Sequence, residues 1–224
     1  MTVPYAQRTS DIVVIETGLE VNVKTYILMS CSTYGIGTNP LHQLGHVPVL
    51  VRLSLETGQV AIVGDGKATW SHVHIADVGR LYEFILAKIL DGADIPNGMK
   101  GIYFVEAGHH SWLELSQRIA EAGVALGALK TTALQTLSLE EATKKLGFGS
   151  ALIAEIGWAS KYVCIINNVE DAVLGCSLIR GFDSCRTKGD LARELGWKPQ
   201  KTRADFEAHF ADDWKAILAA KESE

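Results

Sequence analysis

Val23-Lys-Thr-Tyr-Ile-Leu-Met29 is the segment that most constrains this chain. Its β-branched and aromatic residues read as a buried parallel strand. It runs directly into Ser30-Cys-Ser-Thr-Tyr-Gly35, a small-residue loop. Before it, residues 8–20 carry Ile12, Val13, Ile15 and Leu19 at a spacing that predicts a helix with one buried face, stopping near Gly18. A helix, a short link and a β-branched strand make an α/β fold with a parallel sheet.

The rest of the chain continues the α/β pattern. Val47, Leu50, Val51 and Leu55 predict a helix that ends at Gly58, followed by a strand over residues 59–63 and a turn at Gly64-Asp-Gly66. Ser71-His-Val-His-Ile75 alternates as a short strand. Residues 76–90 form the clearest helix, with Val78, Leu81, Tyr82, Ile85, Leu86 and Ile89 on a single apolar stripe and Asp77 in or beside its first turn. Ile102-Tyr-Phe-Val105 is a further strand. Ser111-Trp-Leu-Glu114 and Ser138-Leu-Glu-Glu141 fit capping boxes, and Thr187-Lys-Gly-Asp190 is a weaker cap. The final helix, from about residue 202 to 220, turns Phe206, Phe210, Trp214 and Ile217 to one face and an acidic face to solvent.

Bulk properties exclude several classes. The 224 residues suffice for one large domain or one and a half small ones, and 47% are apolar. A net charge of -5 argues against nucleic acid and anionic membrane surfaces as partners. The longest apolar runs fall far short of the ~20 residues of a membrane span. The N-terminus shows no apolar export signal and Cys31, Cys164, Cys176 and Cys185 form no Cys-x-x-Cys, so reduced thiols in a cytoplasmic setting are expected.

Residues 161–184 break the pattern, and two readings stand side by side. One is a strand with a loop and a further element. The other is translated intron: Ser160-Lys-Tyr-Val can be encoded with a splice-donor-like sequence, and removing the segment joins Gly157-Trp-Ala-Ser160 to Cys185-Arg-Thr-Lys188.

Three segments resemble the extended, atypical short-chain dehydrogenases of the NAD-dependent epimerase/dehydratase family. They are residues 23–35, which resemble a late strand and the loop beneath the cofactor; residues 63–78, with His72-Val-His-Ile-Ala-Asp-Val78 like that family's hairpin and helix start; and residues 186–199, like its Leu-Gly-Trp-x-Pro ending. The resemblance implies a remnant of a doubly wound, Rossmann-like parallel sheet over residues 1–40, and an α+β substrate-binding domain over residues 41–224. It implies a nicotinamide cofactor, NAD or NADP, and a small alcohol or ketone as substrate. By this match Ser30, Cys31, Ser32, Thr33 and Tyr34 are cofactor-proximal, and Trp70 and His72 are substrate-proximal.

The family's cofactor loop, Gly-x-x-Gly-x-x-Gly opening a helix, places backbone N–H groups against pyrophosphate. Gly35/Gly37 and Gly64/Gly66 both lack the third glycine. The catalytic Tyr-x-x-x-Lys is missing too, because Tyr5, Tyr26, Tyr34, Tyr82, Tyr103 and Tyr162 are followed four residues on by Thr9, Ser30, Thr38, Leu86, Ala107 and Ile166. Without such a lysine, nothing nearby in sequence lowers a tyrosine from its ordinary pKa near ~10. No catalytic residue is therefore assigned. The chain reads as the second half of an enzyme, or as a non-catalytic binding protein derived from one. A homo-oligomer contact, or another partner, is expected over the sheet edge that missing strands leave open.

Other groups have structural readings as strong as functional ones. His72 and His74 point the same way on a strand but lack a third ligand, so a hydrogen-bonded pair is preferred to a metal site. Asp77 reads as a helix cap, His109-His110 as a solvated loop, and Trp70 and Trp112 as core or rim packing. Cys31 has no legible His partner.

Overall fold

The parallel strand pair that opens the fold is shorter and later than the sequence predicts. The computed structural model describes residues 6–37, 45–158, 162–163, 179–180, 184–185 and 188–222. Helix α1 (Ala6–Glu20) leads to β1 (Ile27–Ser30), so residues 23–26 are not strand. Of β1 only Ile27 is fully buried. Gly18 does not stop α1. It lies so close to residues 23–25 that a Cβ there would stand 2.5 Å from Thr25 Cγ2.

The segment after β1 is not a plain loop. Cys31 donates its backbone N–H to the Val105 carbonyl at 3.4 Å, and the chain re-forms as β2 (Ser32–Tyr34) beside a different strand. β1 pairs in parallel with β5 (Ile102–Val105), whereas β2 pairs in parallel with β4 (Thr69–His74), Tyr34 opposite His74. β6 (Gly108–Ser111) pairs antiparallel with β4, and Ser184–Cys185 (β10) runs parallel to its start. A third piece joins β3 (Val60–Val63) in parallel to β7 (Leu134–Leu137). Tyr162–Val163 (β8) and Ile179–Arg180 (β9) form a short antiparallel pair, and the other residues of 161–184 except Ser184 lie outside the described residues.

Helices cover these strands. α2 (His46–Thr57) ends where expected, with Gly58 at φ 78° donating to the Ser54 carbonyl. α3 (Ile75–Leu90) buries Leu81 and Ile85, but Tyr82 and Leu86 are each 55% exposed, so its predicted single stripe is split. α4 (Trp112–Ala125) is capped by Ser111, and α5 (Leu139–Lys145) carries a full capping box between Ser138 and Glu141. α6 (Ala151–Gly157) and α7 (Asp190–Glu194) are short, and α7 starts at Gly189 with no side-chain cap. α8 (Arg203–Glu222) buries Phe206, Phe210, Trp214 and Ile217 as predicted, together with His209 and Asp213 on the same face.

The largest core lies between α2, α4, α8 and the β3/β7 pair, with Leu50, Val51, Leu115, Ile119, Phe206 and Trp214 at its centre. Trp214 Nε1 donates to the Ile119 carbonyl at 2.8 Å, and its ring lies so near Gly123 that a Cβ there would come within 2.5 Å. A second cluster joins Leu81, Ile85, Tyr103, Val105 and Trp197, and the third is only Ile15, Ile27 and Ile102 under α1.

Asp77 ties the first two clusters together. Its side chain is wholly buried, accepts from Arg80 at 2.8 Å, and accepts the backbone N–H groups of Gln200 and Lys201 at 2.9 Å each. It is therefore not the cap of α3. That role falls to His74, whose Nδ1 accepts from the Ala76 N–H at 3.0 Å. Asp77 instead holds the turn that launches α8, and so sets where Phe206 and His209 arrive.

Candidate functional site

Five of the seven histidines converge around Tyr34. Tyr34 closes β2; His72 and His74 project from β4; His110 comes from β6, His46 from the start of α2, and His209 from α8. The Tyr34 ring meets His72, His74 and Phe206 edge-on at centroid distances of 5.5, 5.0 and 5.1 Å. Phe206 stacks flat on His72 at 4.0 Å. Alternation on β4 turns His72 and His74 to this side, and pairing with β6 brings His110 opposite Trp70.

The hydrogen bonds are specific. His72 Nδ1 and His110 Nδ1 share one proton at 3.0 Å. Ser32 Oγ meets His46 Nδ1 at 3.2 Å, and His209 Nδ1 bonds to the Phe206 carbonyl. Asp213 Oδ2 stands 3.8 Å from His209 Nε2.

Burial sets the electrostatics. It pushes His46 and His209 down to about 4, and His72, with Arg203 adding to the effect, to about 4. His110, facing His72 as well, falls to about 3. Burial raises the Tyr34 phenol to about 12, reinforced by the Asp205 and Asp77 carboxylates. At neutral pH the cluster is thus a wall of uncharged imidazoles and a protonated phenol. It offers hydrogen bonds without charge, and nothing in it primes Tyr34 to give up its proton.

The residues singled out in the sequence are only partly brought together. Ser32, Thr33, Tyr34 and His72 line the chamber among these rings. Ser30 is exposed at the end of β1, and Cys31 turns towards the second core cluster, with Sγ donating to the Val105 carbonyl at 3.2 Å. Trp70 lies behind the chamber, edge-on to Trp112 at 5.5 Å and tilted against His46. Trp112 is core. His72 bonds to His110 rather than to His74, and His110, read as part of a solvated loop, is 2% exposed inside strand β6. His46, His110 and His209 were missed. The spacing of α8 did carry a signal, because His209 and Asp213 fall among Phe206, Phe210 and Trp214 on the apolar face.

Among the described residues no group of three His, Cys, Asp or Glu side chains is arranged to hold a metal ion. Four of the described helix starts are closed to a pyrophosphate, while α2 begins at Gly45 with no side-chain cap. The starts of α3, α4, α5 and α6 are each capped by their own side chain, and the outer groove of about 530 Å³ beside Gly35 presents Asp205 and Asp212 along with Lys201 and Lys215. Dinucleotide phosphates need free helix N–H groups and close backbone approach instead.

A parallel strand pair feeding a mixed α/β unit defines the Rossmann-like class. Residues 2–96 match the model of the NAD dependent epimerase/dehydratase family, which bears out the resemblance read from residues 23–35 and 63–78. Among curated proteins the chain is 31% identical over 129 residues to the oxidase ucsJ of an Acremonium species, covering 54% of this chain and 37% of that protein. Among solved structures it matches the dTDP-glucose 4,6-dehydratase DesIV of Streptomyces venezuelae, solved with NAD bound, at a TM-score of 0.57 and 18% identity over 95% of this chain and 49% of that one. It also matches the UDP-glucose 4-epimerase of Thermotoga maritima at a TM-score of 0.55 and 15% identity, over 94% and 52%. The chain thus spans about half the length of these solved structures and less of the curated relative.

Proposed function

We propose that these residues form the C-terminal, substrate-side portion of an NAD(P)-dependent oxidoreductase or epimerase acting on a small alcohol or ketone. The observation that carries this reading is the match of 95% of the chain to about half of an NAD-containing dehydratase, joined to the family match over residues 2–96. In this reading Ser32, Thr33 and Tyr34 face the nicotinamide side, His72 faces substrate, and Trp70 backs the wall. A neutral wall suits a neutral substrate better than a phosphate or carboxylate.

The chain is not catalytically competent by itself, because its 224 residues contain neither the three-glycine loop nor the Tyr-x-x-x-Lys pair. Titration of the purified chain with NADH and NADPH, followed by nicotinamide fluorescence, tests this. No saturable binding in the micromolar range is expected, and a micromolar Kd would overturn it.

A second reading, a non-catalytic binding protein, is favoured by one observation. α1 and the link after it expose Val13, Val14, Leu19, Val21 and Val23 beside a sheet of two strands. Such a sheet edge and apolar face need cover from a partner or a second copy. A discrete monomer or dimer in size-exclusion chromatography with light scattering supports this reading, and progressive aggregation speaks against it. No described helix is long and apolar enough to cross a membrane. A cytoplasmic setting, with no nucleic-acid partner, belongs to the same proposal.

A further inference from the structure

The chamber beneath Tyr34 is small and its polar wall is incomplete. It is lined by Ser32, Tyr34, His72, His110, His209 and Asp213 among others, and its volume is about 20 Å³. That exceeds the ~10–15 Å³ that one water-sized group requires. His110 and His209 are 2% and 5% exposed, and the Nε2 atom of each is buried with no hydrogen-bond partner in the protein.

The tautomer of His209 follows from its neighbour. A carbonyl only accepts, so the bond to the Phe206 carbonyl places the proton on Nδ1, and Nε2 presents a lone pair. An Asp213 carboxyl oxygen faces that lone pair from 3.8 Å, beyond direct hydrogen-bond reach. Two acceptors confront each other unless a proton lies between them, so an added O–H group that donates to His209 Nε2 satisfies that lone pair. His110 Nε2 is a donor or an acceptor according to which ring holds the proton shared with His72. An alcohol hydroxyl carries one proton, so it donates that proton to His209 Nε2 and accepts from His110 Nε2 where that nitrogen is protonated; water, with two protons, satisfies either form of His110. A carbonyl oxygen cannot donate to His209, and an anion would sit against neutral rings. Gly35 and His209 line both this chamber and the outer groove of about 530 Å³, so the two adjoin at these residues.

We infer that the chamber beneath Tyr34 binds one neutral O–H group through His209 Nε2 and His110 Nε2: the hydroxyl of a small aliphatic alcohol, or a water molecule. The alcohol arm rests on the substrate reading above and deepens it, choosing alcohol over ketone as the form this chain recognises.

The full chain, labelled with ¹⁵N-histidine and free of nucleotide, is titrated with 2-propanol and with acetone. Saturable shifts of the His209 and His110 ring nitrogens are expected with 2-propanol and none with acetone at equal concentration. His209→Phe abolishes the His110 response, whereas His209→Gln, which keeps an acceptor, retains it and controls for folding. Crystals grown without alcohol show an oxygen within hydrogen-bond distance of His209 Nε2. That oxygen with no alcohol response assigns the site to water. Equal responses to alcohol and ketone, or no response and no oxygen, overturn the inference. Because no nucleotide is present, a negative result here leaves the nicotinamide reading standing, and failure of the NADH titration leaves this site untouched.

Discussion

The two ends of this molecule bury their apolar residues to very different extents. Around α2, α4 and α8 more than twenty side chains close into one core, and Trp214, Phe206 and Phe210 at its centre are at most 1% exposed. On the α1 side of β1 and β5 the buried cluster is Ile15, Ile27 and Ile102, while Val13 and Leu19 of the covering helix are 54% and 64% exposed. Parallel sheets are stable when helices cover both faces and further strands cover the edges. The first region meets that requirement from its own residues, and the second, among the described residues, does not. The candidate site sits on the first region, against β2 and β4, where rigid packing can hold ring nitrogens in place.

The sharpest test of this contrast is acidification. A histidine whose folded pKa lies below its unfolded value near ~6.5 is neutral in the fold, so below that pH the unfolded chain takes up protons that the fold refuses. His72, His110 and His209, held at about 4, 3 and 4, therefore contribute full stability above pH ~6.5 that is lost as pH falls towards 4. At ~1.4 kcal/mol per pKa unit the loss is on the order of several kcal/mol by pH ~4.5, read as a fall in urea midpoint from its value at pH ~7.5. A midpoint unchanged across that range would mean the imidazoles are not buried in a closed region. Depressed carboxylates such as Asp205 and Glu141 act in the same direction, but only lower, in the carboxylate range.

Trp214→Ala removes the largest fully buried side chain and its bond to Ile119. It is expected to cost about 3–5 kcal/mol in chemical unfolding. Asp77→Ala strikes the link between the first two clusters, leaving the Gln200 and Lys201 N–H groups without their acceptor and Arg80 without its partner. About 3 kcal/mol is expected, with weakened near-ultraviolet dichroism from the aromatic cluster as α8 loses its anchor. Val13→Ser lies at the other end of the scale. On the exposed face of α1 it should change stability by less than ~0.5 kcal/mol, and a loss above 1 kcal/mol would show that this face is covered.

How much was legible followed from how local each feature is. The bounds of α3, the bounds and apolar face of α8, the capping box at Ser138 and the stop at Gly58 depend on residues within a turn or two of one another, and were read close to what is observed. The strand β2 was not, because three residues of Ser-Thr-Tyr become strand only where β4 offers an edge. His110 was read with His109 as a solvated loop because the pair precedes the capping Ser111. On a strand one of the pair must point inward, and pairing with β4 decides which. Asp77 was read as a cap because the N–H groups that donate to it lie more than a hundred residues away in sequence.

By itself the sequence determined an α/β chain of mostly local helices and short strands, similar over residues 2–96 to the NAD dependent epimerase/dehydratase family and without a Gly-x-x-Gly-x-x-Gly or Tyr-x-x-x-Lys spacing. Tertiary structure alone decided that four histidines, from α2, β4, β6 and α8, share one chamber, and that burial keeps them neutral. Periodicity tells which face of an element is apolar, but convergence of polar groups from separate elements is set by strand pairing and helix docking, which no local pattern encodes.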